Sequence, residues 1–228
     1  MTPSLHLTAR GAGAAVVCTH GFADDSTTFD PLLGELGDGY RVVTWDLPGH
    51  GRSPVGRDPD TRASALAGLG RAIDAAGPGP VTLVGHSLGG YLSLCHAVMA
   101  PTTIAGLVLL STGPGFRDPA KRERWNHDMV AFATEQGVPS GAAGIGEQPD
   151  SLAIDGLRSV AAPTLIIVGG EDRAYHRSSD LMASTMPDAG LVVIPGAGHF
   201  PHRTHHSKVA DAVRSLLGRV QQRQASAP

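Results

Sequence analysis

The chain has 228 residues, of which 41% are hydrophobic and 17% charged, and its formal net charge is −3. This composition excludes a charge-rich disordered chain, and the charge balance gives no basic footprint for nucleic acid or an anionic membrane. An α/β chain of this length buries roughly 70–75% of its extended surface, so we expect one domain over residues 1–228.

The sequence carries no clear targeting signal. No apolar run approaches the ~20 residues that span a bilayer, and residues 1–10 lack the basic and apolar regions of a signal peptide. Cys18 and Cys95 both lie in apolar patterns, which indicates buried thiols in a reducing compartment. We therefore expect a cytoplasmic monomer or homodimer that binds a small molecule, with neither nucleic acid nor membrane as a partner.

Short apolar runs alternate with helical patterns along the chain. Six runs predict strands buried on both faces, at residues 14–19, 41–45, 81–84, 107–110, 165–168 and 191–194, and residues 5–8 predict an edge strand. Helical patterns cover residues 28–36, 61–75, 87–100, 178–186 and 207–220. This alternation predicts an α/β fold with a mostly parallel central sheet and helices on both faces.

Residues 112–156 interrupt this rhythm. They contain a short helical piece around residues 129–136, followed by a Gly-, Pro- and Ala-rich stretch typical of a loop or linker. We therefore expect a reduced insertion at about residues 113–153, within the single domain.

The pentapeptide Gly85-His86-Ser87-Leu88-Gly89 follows a predicted strand and opens a predicted helix. In this context a Gly-x-Ser-x-Gly sequence forms a sharp turn that exposes the central hydroxyl at the helix N-terminus. Ser87 is therefore a candidate nucleophile. Because a serine hydroxyl is a poor nucleophile at neutral pH, it needs an adjacent base.

The candidate base and its orienting acid follow two later strands. His199 comes directly after the run at 191–194, and Asp172 comes directly after the run at 165–168. Loops at the carboxyl ends of parallel strands meet at one edge of the sheet, and the chain order Ser, Asp, His is typical of this arrangement. Glu171 is an alternative acid, but we favour Asp172 because of its position in the sequence pattern.

Acyl transfer also needs donors for a developing oxyanion. The backbone N–H groups of Leu88 and Phe22 are the candidates, the latter in the Gly-containing loop after the first buried run. Four further side chains are candidates for the substrate pocket: His20, His86, Trp125 and Phe200. His86 is unsuited as a base because it neighbours Ser87 in sequence, and a His20 in such a turn is more often a structural hydrogen bonder.

Several motifs together resemble the α/β-hydrolase superfamily, in its esterase, lactonase and cofactor-free haloperoxidase-like branch. They are HGF at 20–22, DLPGHGRS at 46–53, GHSLGG at 85–90, PTLIIVGGEDR at 163–173 and GAGHF at 196–200. The resemblance covers nearly the whole chain. It implies a Ser87-Asp172-His199 triad, an oxyanion hole at Phe22 and Leu88, and no metal or organic cofactor.

The chain departs from that superfamily at two places. The cap region at about residues 113–153 is short, which predicts an open or shallow pocket. After His199 the sequence continues as FPHRTHH. The three histidines of this stretch either bind a metal ion or, as we favour, are exposed at the start of the last helix. These histidines are His202, His205 and His206.

The start of the cap region is basic, with Arg117, Lys121, Arg122 and Arg124. These residues form either a solvated helix face or a cluster that steers carboxylates, as in the menaquinone-pathway lyases that this segment resembles. We expect a serine hydrolase that cleaves a small ester, thioester or lactone through an acyl-enzyme. The alternatives are a lyase that eliminates pyruvate from a carboxylated substrate, and a non-catalytic ligand-binding receptor or scaffold on the same fold.

Overall fold

A computed structural model describes residues 4–226, so the ends of the one-domain prediction and part of the segment assessed as a signal peptide lie outside the described residues. The fold is built on a seven-stranded sheet. Its strands are β1 (Leu7–Arg10), β2 (Ala14–Thr19), β3 (Tyr40–Trp45), β4 (Val81–His86), β5 (Ile104–Leu110), β6 (Thr164–Gly169) and β7 (Ala189–Ile194). The strand order is β1-β3-β2-β4-β5-β6-β7, and only β1 runs antiparallel to its neighbour.

Helices cover both faces of the sheet, which confirms the predicted fold class. They are α1 (Asp30–Leu36), α2 (Arg62–Ala76), α3 (Leu88–Met99), α4 (Pro119–Glu135), α5 (Leu152–Gly156), α6 (Arg173–Thr185), α7 (Pro201–Thr204) and α8 (His206–Ala225). One core joins α2, α3 and α6 to the sheet, with Leu69, Leu92 and Met182 fully buried. The other joins α1 and α8 to the opposite face through Leu32 and Leu216.

The strands follow the apolar runs closely. Strands β4 and β6 are buried along their whole length, as expected for central strands covered on both faces. Strand β7 is different, because it forms the sheet edge and leaves Val193 48% exposed. The prediction that residues 191–194 are buried on both faces is therefore wrong, since a run of aliphatic residues does not distinguish an edge strand from a central one.

Two helices extend well beyond their predicted bounds. Helix α6 begins at Arg173, five residues before the predicted start, and α8 continues to Ala225. In both extensions most side chains are polar and face solvent, so they add nothing to the apolar periodicity from which helices are predicted.

The cap region is more helical than the sequence indicates. Helix α4 spans 17 residues, and its N-terminus is capped by Asp118, whose side chain accepts a hydrogen bond from the Ala120 N–H. A 3-10 helix, Ser140–Gly146, follows where a loop was predicted. The predicted helical piece at 129–136 was too short because α4 buries only Met129 and Ala133, which leaves almost no apolar stripe to detect.

Within residues 4–226, no helix is long and apolar enough to cross a membrane, and no cluster of His, Cys, Asp or Glu side chains is arranged to hold a metal ion. Both cysteines are free and buried, as predicted. Burial raises the pKa of the Cys18 thiol to about 12 and that of the Cys95 thiol to about 11, so both stay protonated at neutral pH.

Close backbone packing fixes the position of α3 on the sheet. A Cβ atom at Gly89 would lie 2.0 Å from the Thr19 carbonyl oxygen, and one at Gly85 would lie 2.4 Å from the Gly89 carbonyl oxygen. These partners are backbone atoms of neighbouring elements and cannot rotate away. Glycine at both positions therefore lets the first turn of α3 lie directly against β2 and β4.

Three histidines are at most 1% exposed. The His20 ring joins two loops, because its Nδ1–H donates to the Gly21 carbonyl and its Nε2 accepts from the Leu47 N–H. His202 lies in α7 with its Nε2 3.0 Å from the Thr28 hydroxyl, so the prediction that it is exposed is wrong. The polar run around His202 gives no sign that α7 packs inward. The third is His86, in β4.

Burial lowers the pKa of all three rings, to about 4 for His20, to about 3 for His202 and well below its usual value for His86. Each ring is therefore neutral in the folded state throughout the physiological pH range. In the unfolded chain the same groups titrate near 6.5.

Replacement of Gly89 by alanine is expected to prevent folding or to lower the melting temperature severely, because of the 2.0 Å contact with the Thr19 carbonyl. Gly70→Ala is the matched control, since nothing lies within 4 Å of a Cβ at that helical position. It should stabilise the protein by about 0.5–1 kcal/mol through its helix propensity. Thermal unfolding of the two variants tests this, and a Gly89→Ala protein as stable as wild type would contradict it.

The stability of the protein is expected to fall as the pH drops below 6.5. The unfolded chain then binds protons on His20, His86 and His202 that the folded state does not bind, so the free energy of unfolding decreases. Between pH 7 and pH 5 the loss should be about 1–2 kcal/mol for His20 and for His202, and His86 should add to it in the same direction.

Urea unfolding across this pH range measures that loss. His202→Gln should reduce the pH dependence, whereas His127→Gln, at a side chain that is 85% exposed, should leave it unchanged. If the free energy of unfolding stays constant or rises from pH 7 to pH 5, the buried histidines are not neutral in the folded state as stated above.

Candidate active site

Ser87 lies in the turn between β4 and α3. Its backbone has φ 49° and ψ −115°, a conformation that L-residues rarely adopt and that costs about 1–3 kcal/mol. Two hydrogen bonds hold the turn, from the Ser87 N–H to the Leu110 carbonyl at 2.9 Å and from the Thr112 hydroxyl to the Ser87 carbonyl at 2.7 Å. The strained backbone is thus fixed by β5 and by the segment that follows it.

His199 and Asp172 meet at the same edge of the sheet. Asp172 follows β6 and is almost fully buried, His199 follows β7, and the His199 Nδ1 lies 2.9 Å from the Asp172 Oδ2. Glu171 is exposed and is not the partner of this histidine. Donation from Nδ1 to Asp172 is the arrangement that leaves a lone pair on Nε2 of a neutral imidazole, as a general base requires.

Ser87 and His199 line one cavity, without a hydrogen bond between them in this conformation. Contacts in apo sites are often long and shorten when substrate binds. The structure therefore joins two of the three predicted catalytic side chains directly and places the third on the wall of the same cavity.

The two candidate oxyanion donors border the same space. Leu88 is the first residue of α3, where the N–H has no acceptor within the helix, and Phe22 lies in the turn after β2. Among the hydrogen bonds of residues 4–226, neither N–H is a donor. A Cβ at Gly21 would lie 3.2 Å from the Ser87 Cβ, so the absence of a side chain there brings the Phe22 turn close to Ser87.

The cavity has a volume of about 680 Å³ and a largely apolar wall. Three of the predicted pocket residues line it: His86, Trp125 and Phe200. The prediction for His20 is wrong, because its ring is fully buried between two loops and does not reach the cavity. Helix α4 of the cap adds Met129 and Phe132, so the cap covers the site despite its short length.

His86 lies beneath the site. It is 1% exposed, and its Nε2–H donates to the backbone carbonyl of His199 at 2.9 Å. Its ring lies 4.9 Å from the His199 ring and 4.8 Å from that of Phe200. His86 therefore links the Ser87 turn to the His199 loop, which is a structural contact and not that of a base.

Sequence reasoning missed Tyr175. Its ring stacks on the His199 imidazole, with centroids 5.0 Å apart and an interplanar angle of 28°, and it lines the cavity. Burial raises the pKa of its hydroxyl, and the nearby Ser87 side chain offsets part of that rise. Tyr175 lies in the first turn of α6, in the polar extension that has no apolar periodicity.

The basic residues of the cap point elsewhere. Arg117 pairs with Asp155 at 2.7 Å, and Arg122 donates to the carbonyls of Phe116 and Arg117. Among the described residues that line the cavity, none is Arg or Lys, whereas Asp128 lies on its wall. The cavity therefore offers no cation to a carboxylate.

The chain is similar to known proteins over most of its length. Residues 16–212 match the family model described as the alpha/beta hydrolase family. The chain is 30% identical to a pimeloyl-[acyl-carrier protein] methyl ester esterase of Xanthomonas campestris, over 93% of this chain and 98% of that protein.

Solved structures share the fold over most of their length. A thermophilic esterase from Thermogutta terrifontis superimposes with a TM-score of 0.79 at 30% identity, covering 95% of this chain and 93% of that one. MenH from S. aureus superimposes with a TM-score of 0.83 at 23% identity, covering 97% and 100%, which shows a common fold. With a matched family model over most of its length, the chain belongs to the alpha/beta hydrolase family.

Proposed function

We propose that this protein is a serine hydrolase that cleaves a small, uncharged ester, thioester or lactone through an acyl-enzyme. The observation that carries the proposal is the hydrogen bond between His199 and Asp172 at the wall of the cavity that Ser87 also lines. The names of the esterases to which the chain is 30% identical support the same reaction class.

Acylation begins with attack of the Ser87 Oγ on the substrate carbonyl, as the Nε2 of His199 takes the hydroxyl proton. This transfer requires the Ser87 Oγ and the His199 Nε2 to come within hydrogen-bond distance when substrate is bound. Asp172 holds the imidazole in its tautomer and stabilises the imidazolium ion that forms.

The carbonyl oxygen gains negative charge in the tetrahedral intermediate. The N–H groups of Phe22 and Leu88 stabilise this oxyanion, and they need no reorganisation because both are fixed at the ends of β2 and β4. As the intermediate collapses, His199 gives its proton to the leaving alcohol or thiol. Water then attacks the acyl-enzyme with the same histidine as base, which releases the acid and restores Ser87.

The wall chemistry favours a hydrolase for uncharged substrates over the pyruvate-eliminating lyase. A carboxylated substrate in this cavity would meet Asp128 and apolar side chains, without a cation to compensate its desolvation. The buried, hydrogen-bonded Asp172–His199 pair favours an enzyme over a non-catalytic receptor.

Replacement of Ser87 by alanine is expected to abolish labelling by a fluorophosphonate probe and to lower ester turnover by about 10³–10⁶-fold, since the nucleophile is lost. Ser178→Ala is the matched control, because Ser178 lines the same cavity and its hydroxyl donates to the Tyr175 carbonyl. Probe labelling by gel fluorescence and p-nitrophenyl acetate to octanoate turnover give the readouts. Labelling that persists in Ser87→Ala, or a folded wild type that is never labelled, would refute the assignment.

The kcat/KM for a methyl ester that carries a distal carboxylate is expected to fall at least about tenfold below that of its neutral counterpart, because an unpaired carboxylate is costly to bury. Monomethyl adipate and methyl heptanoate have similar lengths and test this through acid release at pH 7.5. If the carboxylate ester is turned over as fast as its neutral counterpart or faster, the proposed preference for uncharged substrates is wrong and the lyase alternative gains support.

A further inference from the structure

Gln148 is a buried polar residue of the cap. It lies between the 3-10 helix Ser140–Gly146 and α5, and it is 6% exposed. Its backbone is fixed to α4, because its N–H donates to the Asn126 Oδ1 at 2.7 Å and its carbonyl accepts from the Asn126 Nδ2 at 3.3 Å. The position of the residue is therefore determined by main-chain contacts, independently of its side chain.

The Gln148 side chain reaches the wall of the cavity. A Cβ at Gly115 would lie 2.6 Å from the Gln148 Oε1, so the carboxamide rests over the bare backbone of Gly115, which has φ +80°. That oxygen is shielded from solvent and has no hydrogen-bond partner within residues 4–226. The fold thus makes room for the carboxamide without pairing it.

An unpaired buried polar group costs about 1–3 kcal/mol, and the packing at this position does not require one. Leucine or methionine would fill a similar volume among the apolar side chains that form most of the wall. A carboxamide that borders a substrate cavity without a protein partner is therefore suited to a hydrogen bond with the ligand.

We propose that Gln148 forms a polar subsite in the cavity, which recognises one neutral hydrogen-bonding group, such as a ketone or hydroxyl, on the acyl chain of the substrate. The inference rests on the proposed ester hydrolysis and narrows its substrate class. A carboxamide both donates and accepts, so it pairs with either group. Among the cavity-lining residues that the structure describes, none is an Arg or Lys that would pair with an anion.

The experiment compares methyl octanoate with its keto analogues that carry the carbonyl at carbons 4 to 7, each rate being divided by the rate of base hydrolysis. We expect one position to raise kcat/KM roughly 3–10-fold over methyl octanoate, the effect of one neutral hydrogen bond. The apolar, nearly isosteric Gln148→Met should lose this preference, so that its corrected kcat/KM for the keto ester equals that for methyl octanoate.

Two further variants separate recognition from packing. Gln148→Leu, whose side chain neither donates nor accepts, should lose the preference for the ketone and for the hydroxyl analogue at the same carbon. Gln221→Met is the control, since Gln221 is exposed on α8 and does not line the cavity, and it should behave as wild type. Thermal unfolding verifies that each variant is folded.

A wild-type enzyme that turns over every octanoate ester equally would overturn the subsite, as would a Gln148→Met enzyme that keeps the preference. Those outcomes leave the proposed hydrolase intact. A folded wild-type protein that shows neither fluorophosphonate labelling nor ester turnover would instead refute the hydrolase, and the subsite with it.

Discussion

The structure depends on one strained turn, in which Ser87 has a positive φ at the junction of β4 and α3. The turn is possible only because Gly85 and Gly89 have no side chain. A Cβ atom at either position would overlap a neighbouring backbone carbonyl oxygen. That close packing places the free N–H of Leu88 and the Ser87 side chain at the carboxyl edge of the sheet. The loops that carry Phe22, Asp172 and His199 lie at this same edge, so the parallel topology brings these residues to one side of the sheet.

The sheet and the cap contribute different chemistry. The loops of the sheet supply the polar groups, held by contacts such as that of His86 with the His199 carbonyl. The cap supplies mainly apolar surface through Met129 and Phe132, which is suited to the uncharged substrates of the proposed function. Gln148 is a buried polar side chain on this surface, and the proposed subsite assigns its unpaired carboxamide to substrate selection.

Much of this arrangement is predictable from local sequence. The strands coincide with apolar runs, and the glycine-containing loops that carry Ser87, Asp172 and His199 come directly after such runs. Both are predictable because buried parallel strands and sharp turns each require particular residues. Helix α4 is predicted too short, over residues 129–136 alone, because it buries only two side chains. The burial of His202, the stacking of Tyr175 on His199 and the place of Gln148 all arise from contacts between segments distant in sequence, which no local pattern reports.

The most direct test of the central claim is a crystal structure of the enzyme inactivated by a small alkyl fluorophosphonate. The account predicts phosphorus bonded to the Oγ of Ser87 and a phosphoryl oxygen about 3 Å from both the Phe22 and Leu88 nitrogens. It also predicts that His199 remains hydrogen-bonded to Asp172 while its Nε2 faces the adduct. Phosphorus on another residue, or a phosphoryl oxygen directed away from both amides, would contradict the account.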